Sequence, residues 1–360
     1  MADTQTDTEL RRRLSSLYSN PDLLPQKLDL VTRRTLLLEI DRRGYHQSPF
    51  LDDRMIDAQT TGFWTDLDSL PPAQAPRSAL WLFHIGHCGS TLLSRLLPAV
   101  CPLLPVREPP PLRTLAEARR LLGGALSRLD QMAWKQLLRT FVALYSRTYE
   151  DSVTALIKPS SDCVNLVQAV LDEHADSRGI LMYQSLENYL ATMLVGPDPR
   201  MDIEGHSVSR LMDLHDFLND RESLRLYELA PVQRVVVSWM AGVCSLHQAL
   251  RQCGSRVRFL DFDAFVREPA HGLVSLAEFL AMPTDEARIR QVLDGPLMQT
   301  YAKAPEYRFS PSDRERQLAE NRRRSSREID EGLRWADWLV QRYPSLNPVV
   351  EVFAKSRDPA

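Results

Sequence analysis

The residue order predicts an α/β fold: a doubly wound, mostly parallel sheet of about five strands, with a helical N-terminal extension. Three observations lead there. Short, continuously apolar runs recur along the chain, as strands covered on both faces require. Segments with helical spacing separate those runs. The length of 360 residues, with 44% apolar and 25% charged side chains, gives room for one large α/β domain with extensions, or for two domains.

The elements follow in order. Residues 1–75 are expected to form the helical or irregular extension, and "LDLVTRRTLLLEIDRRGY" shows an apolar stripe at helical spacing. "DLDSLPPAQAPRS" is a proline-rich connector. The α/β domain is expected over 76–345. "ALWLFHI" (79–85) is its first strand, and in "STLLSRLL" the leucines Leu92, Leu93, Leu96 and Leu97 share one helical face. "PAVCPLLPVREPPPLR" holds a second strand closed by prolines, and one long helical stretch follows from Thr114 to about Tyr149. "SVTALIKPSS", "RGILMYQS" and "SRVRFLDFDAF" supply the third, fourth and fifth strands, and 201–250 reads as mainly helical. From 300 to 342 the chain is first irregular, then strongly basic, then a tryptophan-bearing helix; 346–360 is a tail.

Composition narrows the function. A net charge of −3 gives no general basic field for nucleic acid. The five cysteines form no CxxC pair, and the start "MADTQTDTEL" has no apolar core of a signal peptide, so a reducing cytoplasm is the expected location. No apolar run approaches the roughly 18 residues of a membrane span. No membrane or nucleic-acid partner is therefore expected, and the residues do not specify an oligomeric state.

"FHIGHCGSTLLSRLL" (83–97) carries the chemistry. Gly86 and Gly89 let backbone amides converge, and Ser90 and Thr91 open the next helix, where unpaired N–H groups and the dipole favour an anion. A Walker-type loop needs GxxxxGK[ST], but His84 and Ser90 stand at its first glycine and its lysine. A phosphatase loop needs arginine where Ser94 stands; Arg95 is one residue late, about 100° around the helix. A metal held by His84, His87 and Cys88 lacks an obvious fourth ligand, and strand alternation sends the two histidines to different sides. A reactive Cys88 thiolate near a helix start is a further reading; a buried inert cysteine is the commoner case. A plain strand–turn–helix joint also stays open.

The same stretch resembles the 5′-phosphosulfate loop of sulfotransferases, often Pro-Lys/Arg-Ser-Gly-Thr/Ser-Thr. Gly86 takes the proline position, His87 the cation, Cys88 the serine, and Gly89, Ser90 and Thr91 match. "RFLDFDAFVREPAHGLVSLAEFLAMP" is similar to the late segment of that family in both spacing and character. "REPPPLR" resembles the segment that carries a catalytic glutamate, here Glu108, and "LIKPSS" the Lys-x-Pro turn with Lys158. The resemblance is to a divergent, bacterial-type member and covers about 79–342. It implies 3′-phosphoadenosine 5′-phosphosulfate as co-substrate without an obligatory metal, and a small-molecule or peptide acceptor that the sequence does not name. Glu108 would be the general base, His87 the cation at the leaving oxygen and Lys158 a second positive charge. Gly86, Cys88, Gly89, Ser90 and Thr91 would form the cradle. The family grips the 3′-phosphate with an arginine and a serine; Gln184 and Thr192 stand in those places, so the arginine charge is lost. The basic tail would compensate, with Arg314 the leading candidate. A protein on the same fold that keeps the anion without catalysis, and an atypical nucleotide-dependent kinase, are the alternatives. Trp134, Phe141, Tyr145 and Trp239 are candidate acceptor-pocket residues or core.

Overall fold

The computed structural model describes residues 12–355. The chain divides into two compact units, Met1–Trp81 with Cys101–Arg178, and Leu82–Val100 with Gly179–Ala360. The expected α/β architecture is present. A five-stranded sheet has the order β5-β6-β4-β7-β8, in which β4 is Ala79–His84, β5 Leu103–Arg107, β6 Thr154–Lys158, β7 Arg178–Tyr183 and β8 Val257–Asp261. The pairings β4–β6, β5–β6 and β7–β8 are parallel. Every residue of β4 and β5 is buried, which is why these strands read as unbroken apolar runs. Strands join on both sides of β4, so its carboxyl end is a topological switch point, where open α/β sheets bind ligands.

In the first unit, the helical expectation for 28–45 is corrected. Residues Leu23–Asp29 (β1), Arg34–Glu39 (β2) and Gly62–Asp66 (β3) form an antiparallel sheet. The leucine run fits either period, and the turn between β1 and β2 decides. The Asp29 carboxylate accepts from the Val31 and Thr32 amides and the Thr32 hydroxyl, and Arg33 takes φ 54°. That hairpin puts Leu23 and Leu37 in a cluster with Leu14, Leu17 and Leu144. Only Arg42–Gln47 of this stretch is helical. The long helix expected from Thr114 is two helices, Pro110–Leu121 and Gln131–Tyr145. The glycine pair at 123–124 breaks it, and the Asp130 side chain restarts it by accepting from the Ala133 amide.

In the second unit, β4 runs into the helix Ser90–Val100, and its apolar face buries Leu93, Leu96 and Leu97. The segment expected to be helical at 201–250 is Pro197–Leu218 and Pro231–Cys253. The tail region holds a short hairpin, Thr300–Tyr301 with Ala304–Arg308, then helices Pro311–Arg324 and Ser326–Arg342. Phe353 inserts its ring against Tyr183 and Phe259, centroids 4.6 and 5.0 Å away. Among the described residues no helix is long and apolar enough to cross a membrane.

Candidate functional site

The residues singled out from the sequence fall into two clusters, one in each unit. In the second unit, the chain leaves β4 through a left-handed turn: φ is 88° at Gly86, 50° at His87 and 75° at Gly89. His87 holds that conformation without glycine's freedom, a strain of about 1–3 kcal/mol that surrounding contacts must hold in place. His84 Nδ1 accepts from the Gly86 amide at 3.1 Å, so that amide is turned back onto the strand, away from the proposed cradle. It also fixes His84 with Nδ1 unprotonated. The Cys88 side chain is fully buried, its Sγ 3.7 Å from the Met182 carbonyl, which matches the inert cysteine. Ser90 and Thr91 are 4% exposed, and among the described residues neither hydroxyl makes a hydrogen bond. Two hydroxyls at the start of an 11-residue helix, with no hydrogen bond among the described residues, are able to donate to an anion there.

Gly89 is required twice. Its φ is left-handed, and an added methyl would overlap the Phe262 ring. The same ring carries the Arg314 guanidinium, whose carbon lies 4.7 Å from the ring centre. Arg314 donates to Asp263 Oδ1 at 2.6 Å and reaches Gln184 Oε1 at 3.4 Å. Gln184 Nε2 in turn donates to the His87 carbonyl at 3.2 Å. The structure thus brings Arg314 to Gln184. Gln184 joins it to the loop, with its own carbonyl held by Trp239 Nε1 at 2.9 Å. Thr192 is on the helix Leu186–Met193, and its hydroxyl donates to the Asn188 carbonyl at 2.8 Å.

Sequence reasoning missed Asp202. Its carboxylate lies 3.9 Å from His87 Nε2, and 3.1 Å from both His206 Nδ1 and Arg210 Nη2. Burial raises the pKa of Asp202, but the His206 hydrogen bond and the charges of Arg210, His87 and His206 outweigh it and hold the carboxyl well below the usual range. A signal was present: Asp202, His206 and Arg210 recur every four residues, on one face of the helix Pro197–Leu218. Asp263 was also missed, although its segment was quoted. Besides Arg314 it accepts from Asn188 Nδ2 at 2.7 Å.

In the first unit, Glu108 and Lys158 form a direct ion pair at the ends of β5 and β6. Parallel register sets Arg107 beside Lys158, and the Glu108 amide donates to the Lys158 carbonyl at 2.6 Å. Glu108 has φ 54°, before Pro109, a position proline would push to extended backbone. Of the five non-glycine residues with positive φ among the described residues, Arg33, Asn219 and Ala281 are at turns or helix ends; the other two are His87 and Glu108. Lys158 is 1% exposed, so its charge is turned to the glutamate, not to solvent. Neither Arg107 nor Arg113 pairs with Glu108: the second partner is Arg54, 3.4 Å from Oε2. Trp134, Phe141, Tyr145 and Trp239 are all core, at most 5% exposed.

No family model matches the chain, and no curated protein matches it either. Among solved structures it is similar to the sulfotransferase domain from the curacin biosynthetic pathway, with 16% identity, TM-score 0.42, and 66% of this chain and 86% of that one covered. It is also similar to a sulfotransferase from Alicyclobacillus acidocaldarius, with 15% identity, TM-score 0.34 and coverages of 71% and 96%. A Mycobacterium avium sulfotransferase gives 13% identity, TM-score 0.34 and coverages of 70% and 77%. The functional reading rests on the residues of the two clusters.

Proposed function

We propose that the chain transfers a sulfuryl group from 3′-phosphoadenosine 5′-phosphosulfate to a hydroxyl or amine acceptor. The observation that carries this is the loop at 86–91: Ser90 and Thr91, buried residues whose hydroxyls make no hydrogen bond among the described residues, open a helix beside the His87 imidazole, which lies 3.9 Å from the Asp202 carboxylate. The sulfuryl group carries less negative charge than a phosphoryl group, so amides, hydroxyls and a histidine cation suffice to anchor it. The S–O bond to the donor phosphate breaks as the acceptor O–S or N–S bond forms. Glu108 takes the acceptor proton, with Lys158 holding its carboxylate in place, and His87 stabilises the charge left on the phosphate. Arg314 supplies the positive charge that Gln184 does not.

The test is calorimetry with adenosine 3′,5′-bisphosphate in magnesium-free buffer, then turnover with a sulfur-labelled donor. Binding and transfer of label support the proposal; no heat from the bisphosphate sinks it. A second reading, anion binding without transfer, is favoured by the engagement of both Glu108 oxygens with cations. Binding without turnover would select it. Stabilisation by Mg-ATP alone would select the kinase reading.

A further inference from the structure

Arg107, next to the proposed base, is 2% exposed, and yet it is not paired with Glu108. Its Nη1 donates to the carbonyls of Tyr45 and Ser48, each at 2.9 Å, and of His46 at 3.4 Å. Its own carbonyl accepts from the Leu51 amide at 2.8 Å. Segment 45–51, outside the family resemblance, is thereby clipped to the end of β5. Three residues on stands Arg54. The Phe50 ring supports its guanidinium, whose carbon is 3.3 Å from the ring centre, and Asp52 takes its Nε at 2.9 and 3.0 Å. From there Nη2 reaches Glu108 Oε2, while Lys158 holds Oε1. Lys158 also faces the same Phe50 ring, at 5.9 Å. Arg54 further lines a groove of about 480 Å³ with Lys27, Asp52, Asp53, Arg113 and Thr114.

We infer that Arg54, delivered by the clipped N-terminal segment, is the positioning residue of Glu108, fixing the second carboxylate oxygen opposite Lys158. The inference rests on the reading of Glu108 as the base. Lys158 on one oxygen and Arg54 on the other fix the plane of the carboxylate, and the second lone pair of an oxygen so held stays open to an acceptor proton. Arg54 holds Asp52 more tightly than Glu108, so it remains in place when Glu108 takes the proton.

The experiment uses the full chain and the variants R54Q, R54K and E108Q. Carbodiimide coupling of carboxyls to glycine ethyl ester, read by mass spectrometry, reports the freedom of Glu108 without any assay of turnover. Expected is a several-fold rise of Glu108 labelling in R54Q, wild-type labelling in R54K, and Asp263 labelling unchanged in both. Equal Glu108 labelling in wild type and R54Q overturns the inference. Where wild type turns over, R54Q lowers kcat about tenfold with the bisphosphate Kd unchanged, and R54K restores most of it. An unchanged kcat in R54Q, or a fall that R54K does not reverse, overturns it too. Should wild type bind no bisphosphate, the functional reading fails, while the labelling still decides the role of Arg54.

Discussion

His87 links the anion loop to the helix Pro197–Leu218 through Asp202, and each residue makes a separate claim. A histidine cation is lost near neutrality, a lysine is not. Turnover of wild type is expected to fall as pH rises through that range, whereas His87→Lys keeps its activity; parallel pH profiles would remove His87 from its role. Asp202 makes a claim on stability. Its folded-state pKa is depressed, so its contribution is present above the unfolded carboxyl value, about 3.9, and disappears as pH falls below it. Asp202→Asn is expected to flatten the acid limb of a urea-midpoint profile from about pH 5 downwards to about pH 2. Gly89→Ala forces a left-handed alanine and moves Phe262 from under Arg314. Bisphosphate binding should weaken by at least about tenfold, some 1.4 kcal/mol, by calorimetry. Much of this cluster was legible: Gly86, Gly89, Ser90 and Thr91 announced an anion loop through residue type and spacing alone. Asp202 was not, because only the folded helix shows which loop its carboxylate faces. Arg54 was not, because its partner lies 54 residues away.

At the scale of elements, buried parallel strands were easy to read, since burial on both faces leaves no polar residue to interrupt the run. β1 and β2 were harder. A leucine-rich stretch satisfies helical and extended spacing alike, and the Asp29 turn, a three-residue matter, decided between them. The sheet they form is held by a second buried arginine. Arg147 donates to the carbonyls of Leu17, Asn20, Leu23 and Leu144. Arg147→Met keeps the bulk but strands those acceptors, at about 1–3 kcal/mol for each one left dry. Urea unfolding should show a loss of about 3 kcal/mol or more. A loss below about 1 kcal/mol would mean that water replaces the guanidinium.

Across the whole molecule, the described interior holds phenols and thiols whose protons burial retains, among them Tyr45, Tyr189, Cys163 and Cys244. Burial pushes Tyr45 and Tyr189 up to about 12. Their unfolded values lie near 10, so the unfolded chain releases these protons first. Stability is therefore expected to be intact below about pH 10 and to fall steeply towards pH 12, measured by thermal unfolding at constant ionic strength. The two buried guanidiniums at 107 and 147 bear on how the chain can be shortened. Removing residues 12–48 would take the Tyr45, His46 and Ser48 carbonyls from Arg107 and the Leu17, Asn20 and Leu23 carbonyls from Arg147, and would strip the apolar surface that this segment covers. A truncated gene should accordingly yield inclusion bodies, not a smaller working catalyst, and any attempt to graft the sheet elsewhere must carry that leading segment along as an indispensable wedge.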